Sequence, residues 1–314
     1  MTGESTISIR RPILVVGMFR SGTSLTANLV HEWGAFGGDP RRLADGDERN
    51  PRGYWQHPRL GSFVSQMMRD IGINFWHPSF PAAVRSLADV PRYRETAFSL
   101  AAEMASSGRA WFWKEPKLSV LLPFWKEICP DAIYVMTVRS PYDCALSWQK
   151  YALPETVHGK VHLVGAALLW WQATMMDVVE STESCRSKYF IPYEHLIARP
   201  EEECRKLGRF LCGECGIESK EHSYLSGMIN TVDPQLRRMR AGKSLDEVDV
   251  ATDAQRSLYQ FLLMKVANPA LPFNRASYPF HPGWKECLDN TKLLCELYEE
   301  LEQYKAGNAL VCGL

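Results

Sequence analysis

Gly17-Met18-Phe19-Arg20-Ser21-Gly22-Thr23-Ser24 carries the strongest chemical signal in the sequence. Pro12 to Gly17 before it is a continuous apolar, β-branched run, the mark of a strand buried on both faces. After it Leu25, Leu29, Val30 and Trp33 recur at helical spacing until Gly34. The eight residues therefore lie at a strand end and open a helix over Thr23 to Trp33. At such a place backbone N–H groups and a helix N-terminus can face a phosphate. Gly17 and Gly22 are spaced as in the loop G-x-x-x-x-G-K-[ST], but Thr23 stands where that loop needs lysine. The positive charge has moved to Arg20, which argues against an ordinary ATPase or kinase. Arg20, Ser21, Gly22, Thr23 and Ser24 are the candidate anion donors.

A second constellation is Arg139, at the end of a predicted strand, with Ser147 about two turns into the following helix. Arginine offers a planar fork of donors to a phosphate, and serine adds a neutral one. Alone the pair is weak, because arginine at a strand end is often only solvated. Here it is a second anion site on the same sheet edge as the first, and ligands of such sheets bind outside the carboxyl ends of the strands.

The elements that must position these residues alternate along the chain. Strands are predicted at Pro12 to Gly17, Ala110 to Lys114, Ala132 to Val138 and Lys188 to Ile191. Helices are predicted at Thr23 to Trp33, Leu118 to Ile128 and about Val161 to Thr182. Another opens with Ser140 as N-cap, Pro141 at N1 and Asp143 at N3. This order predicts an α/β fold, three-layer α/β/α, with a central parallel sheet and a P-loop-like phosphate-binding loop. Phe36 to Tyr54 is a long loop or lid, and about Asn230 to Asp253 is irregular and basic. A last helix over about Lys285 to Tyr304 carries a leucine stripe that packs on the body or pairs two chains.

Composition bounds the class. The 314 residues are 46% hydrophobic and 23% charged, which excludes global disorder. Lys+Arg and Asp+Glu are 36 each, so the net charge is zero and a general nucleic-acid binder is not expected. No apolar run approaches the roughly 18 residues of a membrane span, and no signal peptide is evident. Nine scattered cysteines fit a reducing compartment, so a soluble, cytoplasmic protein is expected. Cys212-Gly213-Glu214-Cys215 has no second pair at zinc spacing, and no metal site is expected.

Together these residues resemble the sulfotransferases that use 3′-phosphoadenosine 5′-phosphosulfate. Arg20-Ser21-Gly22-Thr23-Ser24-Leu25 resembles that family's 5′-phosphosulfate loop, and Arg139 with Ser147 resembles its 3′-phosphate pair. Tyr193-Glu194-His195-Leu196, then Pro200 and Phe210-Leu211, are similar to a late family stretch whose tyrosine lies by the adenine in some members. Asn50-Pro51-Arg52-Gly53-Tyr54-Trp55 and Lys114-Glu115-Pro116-Lys117-Leu118 resemble two blocks of bacterial members. The resemblance covers about residues 13–217. Residues 218–314 read as a mostly helical C-terminal extension of one domain spanning 1–314.

The resemblance implies a cofactor, 3′-phosphoadenosine 5′-phosphosulfate, which leaves as adenosine 3′,5′-bisphosphate, and no metal. The implied partner is a small-molecule acceptor bearing a hydroxyl or amine, for example a secondary metabolite, with no nucleic acid and no membrane. The chain is expected as monomer or homodimer. The implied cofactor-binding residues are Arg20, Ser21, Gly22, Thr23, Ser24, Arg139, Ser147 and Tyr193. Arg20 and Lys114 supply cations to the leaving group. One departure matters: Gln56 stands where bacterial members often have glutamate, and an amide takes no proton at neutral pH. His57 and Glu115 are the two candidate bases, while Asp45, Asp47 and Glu48 share the loop. Gln56, Trp55, Trp76 and His77 are candidates for the acceptor pocket. Arg237, Arg238, Arg240 and Lys243 form a basic segment able to reach the 3′-phosphate. The rival readings are a P-loop kinase or other phosphotransferase, and a non-catalytic nucleotide-binding relative.

Overall fold

The computed structural model describes residues 11–43, 45–47, 50–73, 79–152, 160–216, 221–237, 242–287 and 289. Trp76, His77, Glu48, Arg238, Arg240 and most of the expected last helix lie outside them.

One sheet organises the chain. Its strands are β1 (Pro12–Val16), β2 (Trp111–Lys114), β3 (Ile133–Val138) and β4 (Lys188–Pro192), all parallel, in the order β2-β1-β3-β4. Each predicted strand is present within a residue or two at its ends. All residues of β1, β2 and β3 are buried, the physical reason their apolar runs are uninterrupted.

The helices in chain order are α1 (Thr23–Trp33), α2 (Pro40–Leu43), α3 (Pro58–Ile71), α4 (Phe80–Ser86), α5 (Pro91–Ala105) and α6 (Leu122–Ile128). They continue with α7 (Pro141–Ala152), α8 (Lys160–Thr182), α9 (Tyr193–Ala198), α10 (Pro200–Cys215), α11 (Glu221–Thr231) and α12 (Asp253–Ala267). Strand alternation splits the core in two. Leu14, Val16, Trp111, Trp113, Tyr134 and Met136 face α3, α5, α6, α8 and α12, through residues such as Phe63, Trp125, Trp171 and Phe261. Ile13, Val15, Phe112, Ile133 and Val135 face α1, α10 and α11, through Leu29, Leu207 and Met228. Helices on both faces of a parallel sheet make the three-layer α/β/α architecture.

Two sequence expectations change. The helix expected from Leu118 starts only at Leu122, because Pro116–Ser119 forms a separate 3₁₀ turn capped by Glu115. The Phe36 to Tyr54 stretch is no bare loop. It holds α2, and Phe36 bridges Trp111. Among the described residues no helix is long and apolar enough to cross a membrane.

Candidate active site

All the site segments leave the carboxyl edge of the sheet. Gly17 follows β1, Glu115 follows β2, Arg139 follows β3 and Tyr193 follows β4. The turn after β1 is built from hydrogen bonds below the loop. Gly17 N–H donates to Ser119 Oγ at 2.9 Å, and Ser119 Oγ donates back to Gly17 O at 2.9 Å. Ser21 Oγ donates to Met18 O at 2.5 Å and shares a 2.6 Å hydrogen bond with Thr137 Oγ1. Ser21 is thus a buried strut of the loop, and its hydroxyl is not among the groups lining the cleft above.

Gly22 is the N-cap of α1 at φ 101°. A Cβ there would lie 2.5 Å from Tyr193 Cδ2, so only glycine lets the helix start this close to the β4 segment. The first turn of α1 has no acidic residue, and its N–H groups have no intrahelical acceptor. Arg20 also has a left-handed backbone, at φ 66°. That turns its carbonyl toward Arg139, whose Nη1 donates to Arg20 O at 2.8 Å. A non-glycine residue in this conformation stores strain, held here by the surrounding bonds.

A cleft of about 350 Å³ opens over this edge. Arg20, Lys114 and Arg139 line it together, with Gly22, Thr23, Ser24, Tyr193, Trp55 and Gln56. The two segments that the sequence nominates as anion sites, more than a hundred residues apart, are in direct contact. Besides the carbonyl bond, Arg20 Nε donates to Ser147 Oγ at 3.0 Å. Ser147 is buried and does not line the cleft, so its contact with the site runs through Arg20. Arg139 is 7% exposed, and its guanidinium lies 4.5 Å from the centre of the Tyr193 ring.

Lys114 is 2% exposed, and its Nζ donates to Tyr54 O at 3.0 Å. Burial lowers its pKa to about 8; Glu115 opposes the shift and the Arg20 charge adds to it. The bond to Tyr54 draws the Tyr54-Trp55-Gln56 segment over the lysine. Trp55 holds a left-handed backbone at φ 56°, with its Nε1 donating to Arg52 O at 2.8 Å and its ring against His31. It lines the cleft from within the core.

Neither base candidate lines the cleft. Glu115 follows Lys114, and successive residues of an extended chain point to opposite sides. The Glu115 carboxylate turns back and accepts from Lys117 N–H at 3.2 Å. His57 precedes α3, and its ring packs on Gly38, where an added Cβ would lie 2.9 Å from its Cδ2. Burial holds the His57 pKa below the ordinary imidazole value.

Sequence reasoning missed the far wall. Thr231, the last residue of α11, and Asp233 and Leu236 after it line the cleft, with Asn28 and Ile197. Arg52 ties this wall to the Asn50 to Gln56 loop: its Nη1 donates to Asn230 O at 3.2 Å and its Nη2 pairs with Asp233 at 3.5 Å. The Arg52-Asp233 pairing of opposite charges was a signal only a contact map could have exposed.

The sulfotransferase family model matches residues 12–215, the span that holds the β1 loop, Lys114, Arg139 and Tyr193. The chain belongs to the sulfotransferase family. No curated protein sequence matches it. This sulfotransferase is therefore an enzyme that transfers a sulfo group, and its cationic cleft lies within the matched span except for the wall after α11. Among the described residues no group of three or more His, Cys, Asp or Glu side chains is placed to hold a metal ion.

Proposed function

We propose that this sulfotransferase takes its sulfo group from 3′-phosphoadenosine 5′-phosphosulfate and transfers it to a hydroxyl or amine of a small molecule. The observation that carries the reading is the meeting of Arg20, Lys114 and Arg139 in one cleft at the N-terminus of α1. A donor with phosphates at both ends of its ribose needs more than one cation, together with backbone donors. The residues present fit it: arginines on two different strand-end segments, a glycine N-cap that a Cβ would obstruct, and a tyrosine face beside Arg139.

When bound, the phosphosulfate supplies sulfur already joined to a good leaving group. The chain's part is positioning and electrostatics, by analogy with phosphoryl transfer. Arg20, Thr23, Ser24 and the first N–H groups of α1 bind the 5′ end. Lys114, as an ammonium, offsets charge that grows there. Arg139 binds the 3′-phosphate, and Ser147 steadies Arg20. Tyr193 flanks the base. Trp55 and Gln56 form the acceptor side beside Lys114; the Gln56 amide orients the acceptor without taking its proton, which passes to solvent as the bisphosphate leaves. His57 and Glu115, away from the cleft, have no part in this proposal.

A thermal-shift titration tests it. Adenosine 3′,5′-bisphosphate without magnesium should raise the melting temperature, and adenosine 5′-monophosphate should do so far less. Stabilisation by ATP with magnesium alone would overturn the reading in favour of a phosphotransferase. Bisphosphate binding with no turnover across a broad acceptor panel would favour a non-catalytic relative.

A further inference from the structure

Asp143 lies behind the cleft, in the first turn of α7, and its side chain is only 4% exposed. Ser140 Oγ caps the helix by accepting from Asp143 N–H at 3.3 Å, and Ser140 N–H donates to Glu194 Oε1 at 3.1 Å. The Asp143 Oδ2 faces two arginines: Arg139 Nη2 at 3.7 Å and Arg237 Nη2 at 3.0 Å. Arg237 is 15% exposed on its side chain and directly follows the 3₁₀ turn Pro234–Leu236.

That turn belongs to the far wall of the cleft. Thr231, Asp233 and Leu236 reach the cleft, whereas Arg237 does not line it. The wall is anchored at its α11 end, where Val232 is buried in the core cluster and Thr231 Oγ1 donates to Gly227 O at 3.0 Å. Asp233 accepts from Gln235 N–H within its own turn, and Leu236 and Arg237 N–H donate to Asp233 and Pro234 carbonyls. Its ties to the rest of the molecule include Arg52 near one end and Asp143 at the other. The Arg52 pair is solvent-exposed and so contributes little. The Asp143 cluster is buried: losing the carboxylate removes a counter-charge from both arginines, and losing Arg237 removes the nearer of the two cations.

We propose that Asp143 is a positioning residue for nucleotide binding: it holds Arg139 toward the cleft and, through Arg237, holds the Thr231 to Leu236 wall against it. The wall lies outside residues 12–215, so a residue inside the family-matched span recruits a segment beyond it to complete the site. The proposal rests on the nucleotide reading for its consequence, but its structural half stands alone.

Two measurements test the two halves. The first is deuterium uptake of the 231–237 amides in the full chain without ligand. Arg237→Gln and the near-isosteric Asp143→Asn should each raise uptake there at least tenfold in rate, with β1 and β3 unchanged. Uptake equal to the unmodified chain in Arg237→Gln overturns the proposal whether or not any nucleotide binds. The second is the dissociation constant for adenosine 3′,5′-bisphosphate, measured well below the melting temperature. Arg237→Gln should raise it about tenfold and leave kcat at saturating donor within twofold, and Arg237→Lys should recover part of the loss. Asp143→Asn combined with Arg237→Gln should be no worse than the weaker single variant, because one contact has been removed twice. Additive losses, or a loss of melting temperature with the dissociation constant unchanged, would reduce Asp143 to a structural residue and overturn the proposal. Arg237→Gln, being less buried, keeps the test valid if Asp143→Asn fails to fold.

Discussion

At Lys114 burial and a neighbouring arginine act in the same direction. The folded-state pKa of about 8 lies below the ordinary lysine value of 10.5, so the fold favours the neutral amine. The cost of burying the ammonium is fully present below about pH 8 and is relieved as pH rises toward 10.5. The charge proposed to assist the leaving group follows the opposite course. For the free enzyme, kcat/KM for the donor should fall as pH rises through about 8, and Lys114→Arg should remove that limb; a pH–rate profile from 6 to 10 reads both. Arg139→Ala should raise the dissociation constant for adenosine 3′,5′-bisphosphate far more than that for adenosine 5′-monophosphate. Calorimetry on both ligands decides it, and equal losses would refute the 3′-phosphate assignment. These cations were legible in the sequence because residue type and strand-end position suffice to nominate them. The placement of Glu115 and His57 was not, because the side to which each turns depends on a cap and a packing contact, neither written in residue type.

At the scale of the element, α1 and the turn after β2 carry separable predictions. Gly22→Ala places a methyl against the Tyr193 ring in a left-handed backbone, and should abolish bisphosphate binding at micromolar concentrations. Gly34 ends the same helix at φ 122° with nothing within 4 Å of an added Cβ. Gly34→Ala should therefore cost about 1–3 kcal/mol of stability through backbone strain alone, measured by urea unfolding, and spare binding. Glu115 caps the 3₁₀ turn, so Glu115→Ala should cost about 0.5–2 kcal/mol while kcat stays within threefold. A tenfold fall in kcat with unaltered melting temperature would return Glu115 to the catalytic set. His57→Ala should likewise leave kcat within threefold. Strands and the first helix were legible because their patterns are local. The late start of α6 was not, since the capped turn at Pro116 interrupts a run of apolar residues that reads as one helix.

For the molecule as a whole, the family-matched span is not self-sufficient. Leu258, Phe261 and Leu262 of α12 are buried in the same cluster as Leu14 and Trp113. Lys265, 1% exposed, donates from Nζ to Pro269 O and Leu271 O and pairs with Glu183 at 3.4 Å. Arg275 reaches Asp177 at 2.7 Å and Glu180 at 2.8 Å on α8. These contacts fasten the segment after α12 to the central body. A chain ending at residue 216 should therefore expose one face of its core and fail to fold. Loss of the near-ultraviolet circular dichroism signal and of a cooperative thermal transition would show it; a native-like melt would refute it. The ties from Lys265 and Arg275 to Glu183, Asp177 and Glu180 were not legible beforehand, because each joins residues far apart in sequence.

What the sequence determined by itself was local. Apolar runs without alternation required strands buried on both faces, and the Gly17 to Ser24 loop required a strand-to-helix turn able to face an anion. Those facts follow from side-chain type and backbone sterics over a few residues. The tertiary structure decided the rest. It set the order β2-β1-β3-β4 and brought Arg20 to Ser147 and Arg139. It also turned Glu115 away and closed the cleft with the wall after α11. Each of these depends on which distant surfaces pack together and on the direction that packing imposes on a side chain, and no short stretch of residues encodes either.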